Sequence, residues 1–109
     1  MIEWADFEKI DMRVGTVLEV ADFPNARKPA YQLTIDFGNE GIKRSSAQVT
    51  DWYRKEELIG MQVIAIINFP PKQIANFYSE CLVMGVYDKH NKVVLLQPSQ
   101  HVENGDKVG

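Results

Sequence analysis

The stretch Thr50-Asp51-Trp52-Tyr53-Arg54-Lys55-Glu56-Glu57-Leu58-Ile59-Gly60 decides the fold, because it reads as a helix set between strands. Thr50 or Asp51 offers an N-cap oxygen, and Gly60 is the C′ residue that tolerates positive φ at a helix end. The predicted helix spans residues 52–59. Ahead of it, Tyr31, Leu33, Ile35 and Phe37 alternate with Gln32, Thr34 and Asp36, a period of two that marks a strand with one buried face. Gly38-Asn39-Glu40-Gly41 is a hairpin loop, and the return strand runs from Ile42 to Val49. That strand carries Arg44, Ser46 and Gln48 on one face and Lys43 and Ser45 on the other, a polarity that calls for water or a ligand. Behind the helix, Met61 to Ile67 is an apolar run without alternation, as expected of a strand covered on both faces.

Farther out, Met12, Val14, Thr16, Leu18 and Val20 define the buried face of a first strand, with Gly15 read as a bulge or bend. A loop follows, bracketed by Pro24 and Pro29 and carrying Arg27 and Lys28 on its tip. Late in the chain come an apolar strand at 81–87, a turn at 88–91, a strand at 93–97 and a polar tail. Short strands with one helix between the third and fourth predict an all-β fold with a single short helix. The architecture expected is a five-stranded Greek-key barrel of the OB type with N- and C-terminal extensions. More apolar residues occur in runs than a barrel of this size buries alone, which predicts a homodimer.

The length of 109 residues sets one domain, 1–109, with a core of its own and no need of a metal or disulfide staple. A composition 45% hydrophobic and 25% charged is that of a soluble globular chain, and no run approaches a bilayer span, so membrane insertion is not expected. The start is acidic and lacks the basic and apolar regions of a secretory signal; the expected location is cytoplasmic. Cys81, the single cysteine, sits in an apolar run and reads as a small buried hydrophobe. A net charge of −3 argues against indiscriminate polyanion binding, although residues 1–11, with four acids against Lys9, account for that excess. His90 and His101 lack the partners and spacing of a zinc site. No phosphate-binding glycine loop or strained serine elbow is present, so neither catalytic residues nor a cofactor are predicted and the chain does not read as an enzyme.

The segment from Asn68 to Gly85 carries the candidate ligand chemistry. Pro70-Pro71 fixes φ twice and removes two donors, which stiffens the base of a loop rich in amides, a cation and aromatics: Gln73, Asn76, Lys72, Phe69, Phe77 and Tyr78.

Several motifs in one order resemble the tRNA-binding-domain family. They are Met12-Arg13-Val14-Gly15-Thr16-Val17, Phe23 to Tyr31, Gly60, Asn68-Phe69-Pro70-Pro71-Lys72-Gln73-Ile74, Ser79 and Gly105-Asp106. The family includes C-terminal appendages of methionyl- and phenylalanyl-tRNA synthetases and free-standing dimeric tRNA-binding proteins, and the likeness, over roughly residues 7–109, implies an OB-fold. Within it, Arg27-Lys28-Pro29-Ala30-Tyr31, residues 43–48 and residues 79–85 are similar to the CsaA branch, homodimeric chaperones associated with protein secretion. Where the RNA-binding relatives read lysine, any residue, arginine, glycine, this chain has Lys72, Gln73, Ile74 and Ala75. Glu80, Cys81 and Leu82 likewise replace the family's residue, glycine and methionine after the serine. Losing a cation at Ile74 and gaining an anion at Glu80 removes phosphate interaction.

The resemblance and the residues together imply a groove for unfolded or preprotein polypeptides. The expected contact set is Arg13, Lys28, Arg44, Gln48, Asn68, Phe69, Lys72, Gln73 and Ser79, with Phe69 and Ile74 supplying apolar pockets. The alternative partner is tRNA, with Arg13, Arg27, Lys28, Arg44 and Lys72 on phosphate and Phe69 or Phe77 stacking a base.

Overall fold

The structure, a computed structural model, describes residues 1–109. In chain order the elements are α1 (Trp4–Glu8), β1 (Met12–Asp22), β2 (Tyr31–Asp36), a single helical turn at Gly38–Glu40, β3 (Ile42–Ala47) and α2 (Lys55–Leu58). There follow β4 (Gln62–Ile66), β5 (Lys72–Ile74), β6 (Phe77–Ser79), β7 (Leu82–Val83), β8 (Gly85–Tyr87) and β9 (Val93–Leu95). The antiparallel sheet has the order β3-β2-β1-β4-β7, and β3 comes round to β7 to leave a nearly closed five-stranded barrel. With α2 between β3 and β4 this is the OB-fold the sequence predicts. Two hairpins, β5–β6 and β8–β9, pair outside this sheet, and Leu95 of β9 still packs into the barrel core. No helix is long and apolar enough to cross a membrane.

The barrel interior follows from the alternation in β2: Leu33, Ile35 and Phe37 are fully buried and meet Val17, Val63, Ala65 and Leu58, the last closing one end from α2. Gly15 belongs to this packing rather than to a bend. A Cβ there would lie 2.6 Å from Ile35 Cγ2 and 2.7 Å from the Phe37 ring, so only glycine lets β2 side chains lie flat against β1.

The bulge lies farther along. Pairing between β1 and β2 slips between Val17 and Glu19, so the even positions face the interior only beyond the slip, at Val20 opposite Leu33, while before it Gly15 and Val17 do. Val17 is buried and Leu18 is 40% exposed, the reverse of the expectation. An inserted residue changes the side-chain phase without altering the local composition, which is why period counting missed it. The β4 run is also buried unevenly, with Val63 and Ala65 inside and Ile64 and Ile66 half-exposed.

Helix α2 begins later than capping by Thr50 or Asp51 would allow. Tyr31 Oη donates to Tyr53 O at 2.8 Å and Tyr53 Oη accepts Leu95 N–H at 2.9 Å, which holds Tyr53 between the strands. Trp52 Nε1 donates to Asp88 Oδ2. The cap is instead Arg54, whose N–H donates to Glu57 Oε1 at 2.9 Å. Gly60 does take positive φ, 87°, as expected. The short α1 was not anticipated; it buries no residue.

The C-terminal extension lies along β1 beyond the end of β2, with Val14 N–H on Asp106 O, Gly105 N–H on Val14 O and Val108 N–H on Met12 O, all within 2.9 Å. Gln62, 8% exposed, secures it from within. Its Nε2 donates to Val102 O at 2.7 Å and its Oε1 accepts Val102 N–H at 3.1 Å, so one side-chain amide satisfies both main-chain groups of a tail residue.

Candidate ligand-binding face

The barrel seam between β3 and the chain from Ser79 to Cys81 is sewn largely by side chains. Glu80 N–H donates to Arg44 O at 2.8 Å while Glu80 Oε1 accepts Arg44 N–H at 2.9 Å. Ser79 Oγ accepts Ser46 N–H, and Ser45 Oγ donates to Cys81 O. Glu80, expected as an anion on the ligand face that disfavours phosphate, is also a stitch on the β3 edge. Cys81 lies in the core beneath, and burial pushes its thiol up to about 11.

The segment after Pro70-Pro71 is a hairpin, with Lys72 opposite Ser79 and Ile74 opposite Phe77. Its turn places Ala75 at φ 54°, a left-handed conformation disfavoured for a residue with a Cβ, at the position where the RNA-binding relatives carry glycine. Gln73 Nε2 braces the turn by donating to Ala75 O. Phe77 and Ile74 point inward, onto Phe23, Ala26 and Ala30 of the loop after β1, and form a small core apart from the barrel interior. The Phe23 and Phe77 rings are 5.3 Å apart and tilted by 55°. On the other face of Phe77, the Arg44 guanidinium sits 4.3 Å from the ring centroid and donates to Gln32 Oε1 at 3.3 Å. The hairpin thus becomes a platform that orients one exposed cation.

Alongside this platform lie three adjoining clefts that share lining residues. The first, about 220 Å³, is lined by Phe69, Pro70, Lys72, Ser79, Cys81 and Leu82. Leu82 is shared with a second of about 360 Å³, which runs between Ser46–Val49 and the β7–β8 strands. Gln48, Tyr87 and Val93 also line a third of about 410 Å³ that ends at Lys28, Pro29 and the Asp51–Lys92 ion pair.

Of the nine expected contact residues, Lys28, Gln48, Phe69, Lys72 and Ser79 line this groove, and Arg44 and Gln73 stand beside it on β3 and the hairpin. Arg13 and Asn68 are occupied elsewhere. Arg13 Nε pairs with Asp11 Oδ1 at 2.7 Å, Nη2 with Glu40 at 3.2 Å, and Nη1 donates to Gly105 O, so this cation ties the chain ends to the barrel. Asn68 Nδ2 donates to Lys9 O and its Oδ1 accepts Asp11 N–H, clasping the link after α1. Ile74, expected to line a pocket, is used in the hairpin core. By contrast Arg27, Lys28, Arg44 and Lys72 form no ion pair with a carboxylate. The residues that sequence reasoning missed are Gln32, which steadies Arg44, and Leu82, Tyr87 and Val93, whose exposure depends on how β7 to β9 diverge from β3.

A nearly closed OB barrel with an apolar groove and unpaired cations along one seam defines a binding module. The chain belongs to the tRNA-binding-domain family: residues 12–107 match the family described as "Putative tRNA binding domain". Among solved structures, a CsaA chaperone protein from Picrophilus torridus is 55% identical and superposes with a TM-score of 0.94, each chain being covered in full at 100%. The chaperone CsaA from Bacillus anthracis str. Ames is 49% identical with a TM-score of 0.95, over 100% of this chain and 99% of that one. The methionine–tRNA ligase of Nanoarchaeum equitans (strain Kin4-M) is 38% identical over 108 residues, 99% of this chain. The chain spans only 14% of that ligase's length.

Proposed function

We propose that this protein is a non-enzymatic, homodimeric chaperone of the cytoplasm that binds unfolded or export-bound polypeptides, one groove per protomer. The observation that carries this reading is the groove with an apolar wall of Leu82, Val83, Met84, Tyr87 and Val93 facing the polar edge of β3. Apolar side chains of a non-native segment gain by leaving water on that wall, while its main chain meets polar groups opposite. The likeness to two CsaA chaperone structures over the whole chain supports it. Dimerisation accounts for the apolar side chains that stay exposed away from the groove, among them Trp4, Ile42 and Ile59.

A second reading, tRNA binding, is favoured by Arg27, Lys28, Arg44 and Lys72, none of which is paired with a carboxylate, and by the methionine–tRNA ligase relatives. Titration of the protein with tRNA and with an unfolded preprotein at two salt concentrations separates the two. Polypeptide capture by burial changes little with salt, whereas phosphate binding weakens steeply. Tight salt-dependent tRNA binding with no preprotein binding would replace the first reading by the second.

A further inference from the structure

Ser46 and Gln48 carry main-chain groups that point off the edge of β3 away from β2. In an antiparallel ladder a residue's N–H and C=O point to one edge, and that edge alternates from residue to residue. Arg44 directs both groups at the seam, where Glu80 takes them. Phe37 N–H donates to Gly41 O, which puts the odd-numbered residues of β3 on the β2 side. Ser46 and Gln48 therefore face the groove. Ser46 N–H is taken by Ser79 Oγ, the Ser46 carbonyl turns away from β2 toward the same edge, and neither main-chain group of Gln48 has a partner within the chain. The opposite wall repeats the pattern. Met84 N–H bonds Ile64 O, and the register sets Val83 against Ala65, between two bonded pairs. Val83 accordingly turns its own N–H and C=O away from β4, toward the same cleft.

We propose that this opening takes an extended polypeptide segment by strand addition to β3. The inference rests on the polypeptide-binding reading above and gives its mode. One ligand residue exchanges two hydrogen bonds with Gln48, and the residue two places along donates to the Ser46 carbonyl. Ligand side chains then alternate between the apolar wall at Leu82, Val83 and Met84 and the solvent. Lys28, which has no carboxylate partner, stands where the groove continues past Gln48 and complements an acidic side chain or terminal carboxylate on the ligand. A nucleic-acid backbone has no N–H groups at a period of two to satisfy those carbonyls, so the edge selects polypeptide. Free strand edges are templates for pairing unless covered, and here the edge lies inside a groove wide enough to be entered yet shielded from casual contact.

The test is an N-methyl walk along a fluorescent octapeptide of alternating valine and serine with a free terminal carboxylate, read by anisotropy. Amide exchange at Gln48 is followed with and without the peptide. Methylation at every second position is expected to weaken binding on the order of tenfold, with little effect at the positions between, and Gln48 N–H exchange is expected to slow. If the peptide binds but no period of two appears and Gln48 exchange is unchanged, strand addition is wrong and the polypeptide reading stands. If neither the peptide nor an unfolded preprotein binds, the polypeptide reading fails and the strand-addition proposal fails with it.

Discussion

Replacing Phe77 by leucine isolates the part of the structure that orients Arg44. Phe77 is 2% exposed, packs on Phe23 at 5.3 Å and carries the Arg44 guanidinium at 4.3 Å. The aromatic pair contributes about 1 kcal/mol beyond burial and the cation–π contact roughly 0.5–1 at an exposed site. The lost ring volume adds about 1 kcal/mol. The hairpin docking free energy should therefore fall by about 2–3 kcal/mol, a roughly 30- to 140-fold rise in the open hairpin population. Because Phe77, Phe23 and Ala30 form a core separate from the barrel interior, the effect should stay local. Hydrogen exchange should accelerate at β5–β6 amides while β1 and β2 amides keep their protection, and preprotein affinity should drop severalfold as Arg44 loses its platform. Equal acceleration across the barrel would show that the small core is not independent, and unchanged hairpin exchange would show that Phe77 does not hold it.

Three further outcomes follow from the same contacts. Lys72→Gln should reduce the salt slope of any tRNA binding by about 0.7–0.9, whereas Arg13→Gln should leave the slope alone and lower the melting temperature; titrations across a salt series measure the first and calorimetry the second. Gln62→Leu strips both partners from Val102 and should cost about 1–3 kcal/mol, seen in urea melts and as early proteolysis of the tail. The Cys81 thiol, pushed up to about 11 by burial from an ordinary value of 9.0, is neutral in the fold. Its contribution is present below pH 9 and is lost as pH rises from about 9 to about 11, so the wild type should lose up to roughly 2–3 kcal/mol over that range relative to Cys81→Ala.

What could be read from the sequence was set by short-range rules. The clean alternation of β2, the glycine-flanked turn to β3 and the helix before Gly60 all depend on neighbours within a few residues, and they suffice to place the helix between β3 and β4 and so to specify the OB topology. The change of phase of β1 at Leu18 was not readable, because a bulge is a property of the pair β1–β2 and not of β1. Helix α2 starts late for a similar reason: Tyr53 is held by Tyr31 and Leu95, residues 22 and 42 positions away.

The candidate site divides along the same line. Gln48, Phe69, Lys72 and Ser79 line adjoining clefts, and the polar face of β3 and the stiff proline loop were both visible in the sequence. The fates of Arg13 and Asn68 depended on Asp11, Glu40, Lys9 and Gly105, which sequence spacing does not bring near them. Glu80 shows how a charge can mislead. Read alone it is an anion on a ligand face, but in the fold its carboxylate satisfies the Arg44 N–H that the open seam would otherwise leave bare. The pair Ile74 and Phe77 went inward because three-residue strands are too short to show a period.

Polypeptide binding depends most directly on Leu82, which is 47% exposed and common to the first two clefts. An arginine there adds a cation to the groove while removing the apolar step between its two parts, and its exposed position on β7 leaves the barrel intact. Affinity of the Leu82→Arg variant for an unfolded preprotein, measured beside its affinity for tRNA, is the decisive comparison. A preprotein affinity lowered about tenfold or more agrees with the loss of a buried leucine contact in a polypeptide groove. Unchanged preprotein binding together with tighter tRNA binding would contradict the account and assign the face to RNA.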